Sequence, residues 1–225
     1  MSHLRRFVLA ATLILVLAPA ALRAVDRAPL PFVSPIFGDN MVLQREKPNP
    51  LWGWAQPGQE VRVTVGKNTA RTLTKDDGRW SVTIDPPAVG GPYTVVIDGP
   101  QHVELHDVLV GDVWLCGGQS NMALALAQAR NGAEEVKAAD HPKIRFFVVR
   151  PEVAYTPVAE LHGAWKICSP DTVAERWSGL SAVAYFFARR VRQDLDVPIG
   201  LVQDCIGGTA AETWAGSSRA TCPRA

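Results

Sequence analysis

The 225-residue sequence lacks a charge bias, with 23 Lys and Arg against 22 Asp and Glu and a net charge of +1. No basic stripe runs through it, which argues against a nucleic-acid partner. Cysteine is scarce, and none of Cys116, Cys168, Cys205 and Cys222 forms a C-x-x-C pair. Zinc and thioredoxin-like sites therefore lack support. Beyond the first residues no stretch is long or apolar enough to span a membrane. Seventeen Pro and 18 Gly exceed ordinary usage only modestly, which excludes collagen-like and low-complexity chains. What remains, 47% hydrophobic and 20% charged residues, is globular composition for one large domain or two small ones.

The N-terminus has its own pattern. His3-Leu4-Arg5-Arg6 is basic, residues 7–17 are apolar apart from Thr12, and Ala18-Pro19-Ala20 supplies an A-x-A pattern, with Ala24 as a second end. This is the three-part layout of a secretory signal peptide, too short for an anchor. We expect residues 1–24 to be removed, the mature chain to be secreted or periplasmic, and no membrane association to remain. Losing Arg5, Arg6 and Arg23 leaves 20 of the 23 basic residues against 22 acidic ones. An exported context permits disulfides, but four isolated cysteines dictate no pairing.

Residues 31–106 read as short strands divided by turns. Residues 61–65 alternate strictly, residues 69–74 follow, and Lys75-Asp76-Asp77-Gly78 makes a turn before residues 80–84. Residues 93–97 and 101–105 close the series, so this part is expected to be a small β-sandwich. In Leu51-Trp52-Gly53-Trp54 the two tryptophans share a face. Core packing is their expected role, with a sugar platform as the alternative.

After Asp107 the pattern changes. Residues 108–116 form a nearly continuous apolar run, expected as a strand buried on both faces. Gly117-Gly118-Gln119-Ser120 then turns into residues 121–127, rich in helix formers. Residues 144–149 and 198–202 predict two more strands. Residues 181–195 predict a helix with Val183, Phe186, Phe187, Val191 and Leu195 on or near its buried stripe. Between them, residues 151–175 read as a long irregular stretch. Strands alternating with helices imply a parallel sheet, and a boundary is expected near His106-Asp107.

Ligands of such sheets bind beyond the carboxyl ends of the strands, and Ser120 falls there. Gly117 and Gly118 permit a sharp turn, and the unpaired N–H groups of the following helix start can meet an oxyanion. This makes Ser120 a candidate nucleophile, with a plain helix cap as the bland alternative. Met122 stands where a G-x-S-x-G elbow would carry its last glycine. Residues 204–209 end in a second such turn, Gly207-Gly208-Thr209, whose N–H groups can complete the oxyanion hole if it lies beside Ser120.

Trp114-Leu115-Cys116-Gly117-Gly118-Gln119-Ser120-Asn121-Met122 resembles the G-Q-S-N-M nucleophile block of the sialate O-acetylesterase family, SGNH-type carbohydrate esterases. Gly207-Gly208-Thr209-Ala210-Ala211-Glu212-Thr213-Trp214 resembles the family's second signature, G-G-T-x-A-E-x-W. Residues 37–45 and 181–187 match two further family segments. The resemblance implies hydrolysis of O-acetyl esters on sialic acid or related carbohydrates, without metal or cofactor. It implies Ser120 as nucleophile, with Gly118, Gln119, Asn121, Gly207, Gly208, Thr209 and Glu212 around oxyanion and substrate. The fold it implies is α/β: a β-sandwich at 31–106, then an incomplete SGNH-like parallel-sheet domain, three-layer α/β/α, at 107–225.

A serine hydroxyl needs a base. The family's base comes from an Asp-x-x-His block near the end of a much longer chain. His102, His106, His141 and His162 are preceded at the third position by Gly99, Val103, Ala138 and Ala159, and His3 lies in the leader. The sequence thus predicts a truncated or frameshifted product and a poor esterase. The alternatives are a non-catalytic carbohydrate-binding or interaction module, or a fragment without function.

Overall fold

A computed structural model describes residues 30–152, 161–176 and 179–214. The expected leader at 1–24 and the tail after Trp214 lie outside them. Six strands come first: β1 (Val42–Gln44), β2 (Asn49–Trp54), β3 (Glu60–Val65), β4 (Asn68–Leu73), β5 (Arg79–Ile84) and β6 (Gly90–Asp98). Next are β7 (His102–Gly118), α1 (Ser120–Ala123), α2 (Gly132–Lys137) and β8 (His141–Val148). β9 (Trp165–Cys168), α3 (Pro170–Val173), α4 (Ala182–Leu195) and β10 (Ile199–Cys205) complete the mixed α/β fold.

Period-two patterning builds the first part. Val61, Val63 and Val65 of β3 are fully buried, while Arg62 points out. Gly66, at φ +59°, turns the chain so that Val65 faces Asn68 across a two-residue hairpin. β2 and β5 form a separate antiparallel pair. Their Leu51, Trp80, Val82 and Ile84 share one core with Val61, Val63, Val95 and Ile97 of the larger sheet. The buried Trp80 indole donates to the Phe32 carbonyl at 2.7 Å, satisfying its one polar atom. Trp52 and Trp54 do share a face, but they are only half-buried, outside that core. The inward positions of β2 are Leu51 and Gly53, and Trp52 packs instead on the edge of Phe37, with ring centres 4.7 Å apart.

The larger sheet runs β4-β3-β6-β7-β10-β8-β9, with β1 paired beside β7. The two strands expected at 101–105 and 108–116 are one, β7. Val61–Val65 and the 108–115 run therefore lie in one hydrogen-bonded sheet. The expected junction at His106-Asp107 falls inside β7, marked by Asp107 at φ +52°. The change of partner comes later. Residues 102–110 pair antiparallel with β6, and Asp112 to Gly118 pair parallel with β10. At the joint, β1 pairs with residues 109–111, and Arg45 grips Asp112 through two hydrogen bonds of 2.8 and 3.1 Å. A Cβ on Gly111 would lie 1.9 Å from the Pro198 carbonyl oxygen, so only glycine lets the strands meet here. Arg145, 4% exposed, ties β8 to the same region through Asp107 at 2.9 Å and Asn40 at 3.2 Å.

β7, β10 and β8 run parallel, and α4 packs on them over a second core containing Ile144, Phe146, Ile199 and Leu201. Three expectations need correction. The buried stripe of α4 is Ala182, Ala184, Tyr185 and Ala188. Val183, Phe186, Phe187 and Leu195 are exposed, because the small alanines let the helix sit close to the sheet. The helix expected at 121–127 stops at Ala123. There the Leu124 carbonyl accepts from the Ala182 N–H, Leu126 donates to the Leu180 carbonyl, and Ala125 bridges Ser181. Tertiary pairing thus overrides helix propensity. The stretch 151–175, read as irregular, is ordered over much of its length beyond Leu161 into β9 and α3, the latter held by a Ser169–Thr172 capping box. Residues 153–160 lie outside the description. No helix among the described residues is long and apolar enough to cross a membrane.

Candidate active site

β7 and β10 end together, with Gly118 in register with Cys205. The two glycine turns therefore leave the same edge of the sheet, at the carboxyl ends of its parallel strands. The Ile206 N–H donates to the Gly118 carbonyl at 3.1 Å and locks the turns side by side. A Cβ on Gly207 would lie 3.5 Å from Ser120 Oγ. That is ordinary contact distance, so the Gly207 turn stands directly beside the serine hydroxyl. Gly118, at φ +147°, lets the chain reverse into α1.

Ser120 is exposed at the start of α1. Its hydroxyl donates to Gln119 Oε1 at 2.9 Å, and its backbone N–H donates to the same oxygen at 3.1 Å. An amide oxygen accepts a hydrogen bond but is no base, so Gln119 orients the hydroxyl without activating it. Among the described residues no histidine hydrogen-bonds Ser120. His102 and His106 sit at the opposite end of β7. His141 begins β8 at the amino edge of the sheet, 3.3 Å from the Tyr185 hydroxyl. His162 lies at the carboxyl edge, but its Nε2 faces Glu152 at 3.2 Å, in a neighbouring cavity.

Around the serine opens a cavity of about 400 Å³. Ser120, Gly207 and Ile206 form one wall, and Leu124, Val148 and Val149 contribute apolar surface. The other expected residues divide. Thr209 serves the turn: its hydroxyl donates to the Ile206 carbonyl at 2.9 Å and accepts from the Trp214 indole at 2.9 Å. Asn121, Gly208 and Glu212 are exposed near the turns, outside the cavity wall. Cys205 lines the cavity, but burial pushes its thiol up, and Cys116 behind it is pushed up to about 11 by burial first and Cys205 second. Both thiols stay protonated at neutral pH, leaving Ser120 as the nucleophilic side chain of the wall. No His/Cys/Asp/Glu cluster fit for a metal occurs among the described residues.

Sequence reasoning missed Gln203 and Arg176. Gln203, 2% exposed, accepts from the Ser181 N–H at 2.7 Å and donates to the Gly179 carbonyl at 3.2 Å. It thereby fixes the entry to α4 beside the cavity it lines. The signal was there: a carboxamide inside an apolar parallel strand demands partners. Arg176 also lines the cavity, and nothing in its local pattern pointed there.

A serine on a strand-to-helix turn, over a cavity at the carboxyl ends of parallel strands, is the layout of an α/β esterase. Comparison with known proteins narrows the class. Residues 110–221 match the family described as carbohydrate esterase, sialic acid-specific acetylesterase, and the chain belongs to that family. It is 34% identical over 198 residues to the sialate O-acetylesterase of Mus musculus, covering 80% of this chain and 36% of that one. For the sialate O-acetylesterase of Homo sapiens the figures are 32% over 204 residues, 83% and 39%. The crystal structure of a carbohydrate acetylesterase from Xanthomonas citri superposes with a TM-score of 0.77 at 38% identity, covering 83% of this chain and 43% of that one. The chain thus spans less than two fifths of the length of these two mammalian relatives.

Proposed function

We propose that the chain carries the nucleophile half of a carbohydrate O-acetylesterase, acting on acetylated sialic acid or a related sugar. The observation that carries this reading is the 3.5 Å approach between a Cβ placed on Gly207 and Ser120 Oγ over the cavity. In the proposed reaction Ser120 Oγ adds to the acetyl carbonyl carbon and gives its proton to a base. Backbone N–H groups at the start of α1 and in the Gly207-Gly208 turn meet the oxyanion. The sugar oxygen leaves with the proton, and water then releases acetate and restores the serine. Gly118 and Gln119 shape and orient the serine turn, while Asn121, Thr209 and Glu212 frame the site.

The same reading takes residues 31–106 as a β-sandwich, supported by the core shared between two sheets. It takes 107–225 as the SGNH-type unit, supported by the three parallel strands, with the junction inside β7. It places the mature chain outside the cytoplasm, supported by the leader-like first 24 residues, with a sugar ester and no nucleic acid as partner.

The chain taken alone should be slow, because a serine protease deprived of its catalytic histidine loses about 10⁶ in kcat. Acetate release from an O-acetylated sugar is the assay, with and without added imidazole as an external base. The expected result is a rate near background alone, with an imidazole-supported rate abolished by Ser120→Ala. An imidazole-supported rate that survives Ser120→Ala would remove Ser120 from the nucleophile's role. Ordinary enzyme rates without imidazole, lost in Ser120→Ala, would make a histidine of this chain the base, His162 first.

A further inference from the structure

All but one of the described tryptophans are engaged by the protein itself. Trp80 and Trp165 donate their indole N–H groups to the Phe32 and Ile36 carbonyls, and Trp214 donates to the Thr209 hydroxyl. Trp52 and Trp114 meet the rings of Phe37 and Phe187, and the Arg79 guanidinium lies over Trp52 at 5.9 Å. Trp54, half-buried on β2, has among the described residues no aromatic partner, no cation over its ring and no hydrogen bond from its indole. It lines instead a cavity of about 620 Å³ beyond the amino end of β7, whereas Ser120 follows the carboxyl end of that strand. An indole offers a ligand both a broad apolar face and one N–H donor.

The rest of that wall is polar. Gln56, Gln59 and Gln101 line it, and Asp77 is its one ionisable side chain among the described residues. Gln56 and Gln101 are exposed, and among the described residues their carboxamides make no hydrogen bond. The backbone that carries these groups is fixed. The Trp54 N–H donates to the Phe32 carbonyl at 3.2 Å, and the Gln56 N–H donates to Gln59 Oε1 at 3.0 Å. Asp77 Oδ1 accepts from the Arg79 N–H at 2.9 Å, which holds the carboxylate in its turn. Carboxamides both donate and accept, and so do hydroxyls, whereas an ammonium only donates and a carboxylate only accepts.

We propose that this cavity is a second carbohydrate site, which takes an uncharged sugar ring of a glycan. The ring's C–H face would lie against Trp54, and its hydroxyls would meet the carboxamides and Asp77. The volume lies within the range of small-ligand pockets. An acidic sugar is disfavoured, because no cation lines the cavity and the Asp77 carboxylate repels it. The site is separate from the serine and does not rest on the esterase reading.

The test titrates lactose, cellotriose and xylotriose, all uncharged, into the 225-residue chain. Binding is followed by NMR at the Trp54 indole N–H resonance, identified as the one missing from Trp54→Phe. At least one of these glycans should move that resonance in a saturable way. By calorimetry, Trp54→Ala should weaken that glycan about tenfold or more, and Trp54→Phe should keep part of the affinity. Gln56→Ala combined with Gln101→Ala, both exposed and without a role in the fold, should weaken it about threefold. At equal concentration and low salt, methyl β-glucoside should move the resonance about threefold further than methyl β-glucuronide. Asp77→Asn, which keeps an acceptor for the Arg79 N–H, should narrow that difference. No movement with any probe, binding that leaves the Trp54 resonance unmoved or survives Trp54→Ala at full strength, or affinity unchanged in the glutamine double variant would each overturn the site. Equal response to glucoside and glucuronide, or a difference unaltered by Asp77→Asn, would overturn its preference for uncharged rings.

Discussion

Val108 and Val110 are fully buried, whereas Trp114 and Leu115, on the same strand and a few residues on, are 43% and 75% exposed. The two halves of β7 look alike in sequence and differ in their surroundings. The first half pairs with β6 and faces the core shared with β2 and β5. The second half pairs with β10, and Trp114 is met on one face by the edge of Phe187, with ring centres 4.9 Å apart. An apolar run therefore reports what a strand is able to bury, while its neighbours decide what it does bury.

Five measurements would break or sharpen this contrast. Gly111→Ala should have the largest effect, because its Cβ meets the Pro198 backbone at 1.9 Å, which no side-chain movement relieves. Soluble folded protein should not be recovered; a folded first half that survives this change would show that the two halves do not fold together. Trp80→Ala should cost about 4 kcal/mol by urea titration, as expected for a large, fully buried aromatic. Arg145→Ala should cost about 2 kcal/mol, through lost hydrogen bonds to Asp107, Asn40 and the Pro142 carbonyl. Leu115→Ser should change stability by at most about 0.5 kcal/mol while raising solubility. A cost like that of a core residue would show that Leu115 is covered in solution.

The smallest effects should be those of pH, with opposite signs in the two halves. Asp98 first and Glu104 second hold the His102 imidazole above its ordinary 6.5. Its contribution is complete below that value and fades as pH rises through the raised one. Burial first, then Arg189 and Arg192, holds His141 below 6.5. Its contribution is present above 6.5 and is lost as pH falls toward the lowered value. On acidification from about pH 7.5 to about 5.5, a window that brackets the ordinary imidazole value, His141→Gln should therefore lose less stability than the unaltered chain, and His102→Gln should lose more. Urea midpoints read in the same order for both variants would refute the assignment.

Much of the site was legible because glycine and serine carry strong local meaning. The turns after Cys116 and Cys205 announce themselves by Gly117-Gly118 and Gly207-Gly208, and parallel pairing brings them together. The inner strands of the first half were legible from strict alternation, as in residues 61–65. What was not legible depended on partners distant in sequence. Nothing local shows that Asp107 takes a left-handed conformation and lets β7 continue. The helix after Ser120 ends because residues 180–182 capture Leu124 and Leu126. In α4 the large apolar residues drew attention, while alanines made the contact. Arg176 carries no mark in the sequence, since a cavity assembled from three strand ends has no signature at position 176.

Because β7 is unbroken from His102 to Gly118, the serine turn inherits its placement from pairings made more than about ten residues earlier. A slip of one residue against β6 would displace the turn by about 3.3 Å and exchange the two faces of everything downstream. Cys116 would leave the core beneath α4, and the serine would no longer stand level with Gly207. A single-residue insertion between His102 and Val110, remote from any substrate, would then be felt first as a misaligned nucleophile: the strand works as a ruler whose zero mark lies in the other half of the molecule.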